Sequence, residues 1–248
     1  MKILVCISSV PDTTSKINFT NDNQKFDTSG VQFIINPSDE YGLTRAIQLK
    51  EKLGASITLV NVGTPETEPI LRKAFALGAD EIIRVDATAT DGFFVASQLE
   101  KIVKNGGFDL IITGKESIDY NGGMVGGMLA TLLDYPFINK CIGLEINGID
   151  IEASREIDGG KEVIKTQLPA VIAAQKGLVH DKDLRIPNMR NLMAARTKQI
   201  TVIQPESVSA PTSVVGFEKT PAKNPVKMIA SDNLDELIHL LHNEAKVI

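Results

Sequence analysis

The chain has 248 residues, 43% of them hydrophobic and 23% charged, and a net charge of −5. That length supports one sizeable core with room for an appendage. The acidic balance, without a run of lysine or arginine, argues against non-specific binding to nucleic acid or an anionic bilayer, and no apolar run approaches the ~20 residues that span a membrane.

The first segment, Lys2–Ser8, is apolar and runs into Pro11 and Asp12, so it reads as a buried strand rather than a secretory leader. Cys6 and Cys141 are the two cysteines, far apart, and are expected as reduced thiols in a cytoplasmic protein. Residues 11–35 are polar and irregular, and Asn21, Asp22 and Asn23 mark a hairpin tip. Asn36-Pro37-Ser38-Asp39 combines an N-cap, a proline at the first helical position and an acid in the first turn, opening a helix over 38–53. Strands Ser56–Val62, Glu81–Val85 and Phe108–Thr113 follow, separated by amphipathic helices over 66–77 and 94–104. Gly54 and Gly78 stand where helix C-caps belong. Short, continuously apolar strands alternating with helices predict an α/β fold, an open, mostly parallel sheet with helices on both faces.

Beyond Pro136 the pattern changes to strands over 142–146, 149–155 and 161–168, with Asn147-Gly148 and Asp158-Gly159-Gly160 as hairpin turns. This predicts an antiparallel extension, followed by strand Ala170–Ala174, a helix over 191–196 and a strand over 199–203. From Pro205 to Pro225, both included, there are four prolines. Residues 205–248 are therefore expected to form an extended arm separate from a 1–204 domain, its end a helix whose stripe is Leu234, Leu237, Ile238 and Leu241, capped by Ser231 or Asp232. The arm is expected to pack on a partner.

The chemistry available is sparse. Three histidines, His180, His239 and His242, do not make a metal set, and none is expected. No nucleophile elbow, Gly-x-x-x-x-Gly-Lys-Ser/Thr loop or Gly-x-Gly-x-x-Gly turn is present. A binding or carrier role is expected in place of catalysis. In an open parallel sheet, ligands sit beyond the carboxyl ends of the strands. Those ends carry Cys6-Ile7-Ser8, Val62-Gly63 and Gly114-Lys115, with Asn36 nearby. The stretch from Gly114 to Val125 leads into a glycine-rich helix start. Gly122, Gly123, Gly126 and Gly127 inside a helix would sacrifice about 3–4 kcal/mol of propensity, which implies close approach to the backbone. Amides of Gly123, Met124 and Val125 are placed to take the phosphate of an adenine nucleotide.

The order and spacing of several motifs resemble the β subunit of electron transfer flavoproteins. They are Ile3–Asp12, Asn36-Pro37 with Arg45-Ala46-Ile47, Ala74–Asp80, Gly114–Asp119, Arg155–Gly160, Leu168–Val171 and Pro187–Ala195. The resemblance spans essentially the whole chain. It implies AMP held structurally here by Cys6, Asn36, Pro37, Ser38, Asp39, Val62, Gly114, Lys115, Asp119, Asn121, Gly122, Gly123, Met124 and Val125. It implies an α subunit carrying FAD. It also implies electron delivery from flavin dehydrogenases, such as acyl-CoA dehydrogenases, to a membrane quinone reductase. Partner contacts would fall on Glu156, Arg185, Pro187, Met189, Leu192 and Met193, with Met189 as anchor in a dehydrogenase pocket and Glu156 paired with an arginine of the FAD domain.

The chain departs from the family pattern at Glu116, where many relatives have Gln, at Tyr120, where many are acidic, and at Met124-Val125 and Ala194-Ala195. Val125 brings no hydroxyl, so phosphate there would rest on backbone donors. Two other readings are a bifurcating relative with a second FAD in place of AMP, and a universal-stress-type ATP-binding protein.

Overall fold

The computed structural model describes residues 1–223 and 225–248. A nine-stranded sheet organises the chain. Its strands are β1 (Lys2–Cys6), β6 (Ser56–Val62), β7 (Glu81–Val85), β8 (Leu110–Gly114), β9 (Phe137–Asn147), β10 (Asp150–Ile157), β11 (Gly160–Gln167), β12 (Ala170–Ala174) and β13 (Thr201–Ile203). The order is β11-β10-β9-β12-β8-β1-β6-β7-β13. Every pairing from β9 to β13 across that order is parallel, whereas β10 pairs antiparallel with both β9 and β11. The expected class is therefore present, extension included.

Side chains alternate across this sheet and meet helices on both sides. Ile3 and Val5 face α1 (Pro37–Leu53) and α2 (Glu68–Phe75), where Leu43, Ala46, Leu71 and Ala74 are buried. Leu4 and Ile111 face α3 (Gly92–Gly106) and α4 (Val125–Leu133), where Leu99, Val103, Leu129 and Ala130 are buried. Complete burial of such a side chain is worth about 1.5–3 kcal/mol, so the two-layer cover accounts for the unbroken apolar character of β1 and β8. The chain moves from β1 to β6 and β7 on one side, then crosses to β8 on the other. The β1/β8 boundary is thus the point where the winding reverses.

Some expectations change. Residues 11–35 are less irregular than their polarity suggests: β2 (Ser9–Pro11) pairs with β5 (Phe33–Ile35), and β3 (Phe19–Thr20) with β4 (Lys25–Phe26). The tip residues Asn21, Asp22 and Asn23 all adopt positive φ, as a tight turn built from Asn and Asp allows. β9 begins at Phe137, five residues earlier than expected, because a bulge with Lys140 at φ 50° interrupts its alternation. The expected 66–77 helix divides into a 3-10 turn at Pro65–Thr67 and α2, with Pro69 early in α2. α5 spans Met189–Thr197, longer than the 191–196 expectation because Asn188 caps it, accepting the Asn191 N–H at 2.8 Å. The arm's helix, α6 (Leu234–Leu240), is capped by Asn233 and not by Ser231 or Asp232.

The arm's first half lies on this chain. Gln98 exchanges two hydrogen bonds with the backbone of Glu206, Thr212 donates twice to Asp91, and Phe217 stacks on Phe19 at 4.8 Å. α6 has no buried residue, and Leu234 and Ile238 are exposed. Among the described residues, no helix is long and apolar enough to cross a membrane.

Candidate functional site

The crevice at the β1/β8 boundary is built from three connections, and the structure knots them together. Asn36 is 1% exposed and Asp39 3%. Asp39 accepts the Ser8 N–H at 2.7 Å on one oxygen and Asn36 Nδ2 at 3.0 Å on the other. Asn36 Nδ2 also donates to the Glu116 carbonyl at 2.8 Å, and Asn36 Oδ1 accepts the Ile118 N–H at 3.2 Å. Asn36 was expected as a side-chain N-cap of α1. It makes no such bond, because its amide is consumed by the loop after β8.

Gly114 ends β8 directly against this knot. A Cβ there would meet Asp39 Oδ1 at 2.3 Å and Ser38 Cβ at 2.9 Å. Burial pushes the Asp39 carboxyl up to about 7 despite hydrogen bonds from Ser8, Asn36 and the Gly114 backbone that favour the charge. Burial also raises the Cys6 thiol, and Asp39 adds to the effect. Pro37 occupies the first turn of α1, Ser38 is buried, and the Val62 side chain belongs to the core on the α3/α4 side.

The glycines divide into two kinds. Gly126 and Gly127 lie inside α4, where added Cβ atoms would meet Phe137 at 3.1 and 3.4 Å, and Gly126 would meet Thr113 Oγ1 at 2.7 Å. They let the helix lie close on the sheet. Gly122 and Gly123 precede α4. The sacrifice in helix propensity is consequently about 2 kcal/mol and not 3–4. It is explained by helix packing. Gly123 faces the Lys115 carbonyl at 3.0 Å, while Gly122 has only Ser117 Oγ at 3.7 Å. The loop closes on itself, the Ser117 N–H donating to the Gly122 carbonyl at 3.2 Å, with Asn121 at φ 51°. Asp119 accepts the Tyr120 N–H, and both residues are exposed. Among the described residues no side chain caps the start of α4, and its first-turn amides have no intrahelical acceptor. Lys115 Nζ, next to this turn, pairs with Glu116 at 3.2 Å.

Sequence reasoning gave no role to two contributors. The Ser8 N–H anchors Asp39. Asn61, 5% exposed, donates to the Ile7 carbonyl at 2.8 Å and accepts the Thr67 hydroxyl at 2.8 Å. A lone asparagine within the apolar strand 56–62 was the available signal. A separate cavity of about 420 Å³ lies at the opposite ends of the strands, lined by Lys2, Ser56, Glu81, Phe108 and Glu206. Among the described residues no cluster of side chains suits a metal ion.

The residues expected at partners lie elsewhere. Met189, 72% exposed, and Met193 project from α5, Leu192 is half-buried, and Pro187 precedes the helix. Arg72 of α2 pins the far end of α5 by donating to the Ala195 and Lys198 carbonyls, both at 2.7 Å. Arg185 pairs with Glu51 at 2.5 Å. Glu156 is exposed on β10 and accepts Gln175 Nε2 at 2.6 Å.

Fold and crevice together define a doubly wound α/β protein with backbone donors at its switch point. A family model described as electron transfer flavoprotein domain matches residues 24–208. An electron transfer flavoprotein subunit beta of Bacillus subtilis (strain 168) is 36% identical, with 100% of both chains covered. The subunit of the same description from Homo sapiens is 31% identical over 94% of this chain and 95% of its own. That from Syntrophomonas wolfei is 34% identical over 90% of this chain and 87% of its own. The chain belongs to the electron transfer flavoprotein beta-subunit family. Membership assigns it to a flavin-based electron-transfer system and implies an alpha subunit as partner.

Proposed function

We propose that this chain holds one AMP as a structural ligand within a heterodimer whose alpha subunit carries the redox-active FAD. Carrying this reading is the uncapped start of α4 beside Gly122-Gly123, at the switch point of the sheet. Backbone amides of Gly123, Met124 and Val125 would receive the phosphate, favoured by the helix dipole. Lys115 would supply a cation beside it. The adenosine would lie across the strand ends at Cys6, Val62 and Gly114, between the 36–39 and 119–121 connections. The glycine turn thus fits an adenylate's charged end with main-chain donors, and Met124 and Val125 add no side-chain donor. FAD chemistry itself, the acceptance and release of electrons, is supplied by the partner's cofactor.

The chain's own role would be to hold, orient and dock, without catalysing a reaction. Met189 on exposed α5 would anchor in a flavin dehydrogenase such as an acyl-CoA dehydrogenase, where a flexible thioether suits an adaptable contact. Electrons would pass through the alpha subunit's FAD to a membrane quinone reductase, in the cytoplasmic compartment. Glu156 would face an arginine of the FAD-bearing domain.

Co-expression with the alpha subunit, followed by extraction and chromatography of bound nucleotides, tests this. One AMP and one FAD per heterodimer is the expected yield. Two FAD would establish the bifurcating arrangement instead, and FAD with no adenine nucleotide in this chain would overturn the reading.

A further inference from the structure

We propose that Asn36 and Asp39 are positioning residues that hold the 115–118 loop over the crevice, and are not themselves ligands of the nucleotide. The inference rests on the reading of the crevice as an adenylate site and changes the role of two residues within it.

A side chain that contacts a ligand needs a free, accessible donor or acceptor. Asn36 has none. Both Nδ2 protons are spent, on Asp39 Oδ1 at 3.0 Å and the Glu116 carbonyl at 2.8 Å, and Oδ1 receives the Ile118 N–H at 3.2 Å. Its main chain is also engaged, the N–H donating to the Ser8 carbonyl at 3.0 Å and the carbonyl receiving the Asp39 and Glu40 amides. Both Asp39 oxygens are taken, by Ser8 and Asn36, and the side chain is closed off from solvent. Gly114 seals it from the sheet side, since even a methyl group there would strike Asp39 Oδ1.

What the pair does is join three chain segments that are remote in sequence: the connection after β1 at Ser8, the start of α1, and the loop after β8. The last of these leads directly to Gly122 and Gly123, and the Lys115 carbonyl lies against Gly123. Placement of the phosphate amides therefore follows from the Asn36–Asp39 pair through the 115–118 backbone. An unsatisfied Glu116 carbonyl and Ile118 N–H would be the immediate result of losing the Asn36 amide.

The test uses the complete heterodimer, stripped of nucleotide, in three forms besides wild type: Asn36→Ala, Asn36→Asp, and the exchange Asn36→Asp with Asp39→Asn. AMP affinity is measured by equilibrium dialysis, FAD per heterodimer by absorbance, and exchange of the Ile118 amide by hydrogen-exchange mass spectrometry. Asn36→Ala should weaken AMP about tenfold or more and accelerate Ile118 exchange, with FAD content unchanged. Asn36→Asp opposes two buried carboxylates and should be worse. The exchanged pair keeps the Ile118, 36–39 and Ser8 contacts but turns a carboxylate oxygen, not an N–H, toward the Glu116 carbonyl, so it should form soluble heterodimer more readily than Asn36→Asp while still binding AMP about tenfold or more weaker than wild type. Wild-type AMP affinity in Asn36→Ala or in the exchanged pair, or unaltered Ile118 exchange in Asn36→Ala, would each overturn the proposal alone. A wild-type heterodimer that binds no AMP would overturn the functional reading and this proposal with it.

Discussion

Two neighbouring glycines differ in what they can test. Gly123 lies 3.0 Å, counted from a built Cβ, from a backbone oxygen, so any side chain there moves the loop before its charge matters. Gly122 has ordinary clearance and an ordinary φ. Gly122→Asp therefore adds a negative charge without a clash, and is expected to weaken AMP about tenfold or more in equilibrium dialysis by like-charge repulsion. Affinity equal to wild type would remove this turn from the phosphate site. Asp39 offers a second test. Its folded pKa, raised to about 7 by burial, exceeds the unfolded value near 3.8. The native state thus binds the extra proton between those values, and the stability from this group is complete below the unfolded pKa and lost as pH rises through about 7. Urea midpoints of wild type should fall relative to Asp39→Asn between pH 4 and 7. Parallel profiles would contradict the burial argument. At this scale the sequence made visible which glycines were unusual, but not why. Gly126 answers to Phe137 and Thr113, and Gly114 to Asp39, partners brought in by the fold from elsewhere in the chain.

Among elements, α5 is the best defined surface feature. Its far end is fixed by Arg72, and the turn before it is held by Asp181, which receives Tyr41 at 2.7 Å and Lys176 at 2.7 Å. Met189 is thereby presented from a braced helix. On the proposed function, Met189→Ala is expected to lower kcat/KM for reduction by a flavin dehydrogenase by about 5- to 30-fold, the ~1–2 kcal/mol of a docking anchor, with heterodimer assembly intact. Equal rates would move the anchor to another residue. The strands β6, β7 and β12 were legible to the residue, since a buried parallel strand has a short apolar run and little else. β9 was not, because its bulge at Lys140 breaks the period on which such reading depends. β2 and β5 were hidden by their brevity, three residues each, and become strands only because they meet each other.

Over the whole molecule, the arm has two different ends. Its proximal half is tied to α3 and to the β3–β4 hairpin. Its terminal helix keeps Leu234, Leu237 and Ile238 exposed, a stripe that a lone chain leaves without a buried face. Removing residues 231–248 should leave the melting temperature of the isolated chain unchanged and weaken the heterodimer on dilution in size-exclusion chromatography. Undiminished assembly would assign the stripe to something other than the alpha subunit. The crevice at the β1/β8 boundary was legible as a place, because winding reversal and carboxyl strand ends follow from element order. Its internal wiring was not, because the Asn36–Glu116 and Asp39–Ser8 contacts span 80 and 31 residues. The most direct measurement is the amide spectrum of nucleotide-stripped, isotopically labelled heterodimer titrated with AMP. Shifts concentrated at the Gly123, Met124 and Val125 amides are the expected result. Saturating AMP that leaves those three unmoved, or shifts residues around Lys2, Ser56 and Phe108 instead, would contradict it.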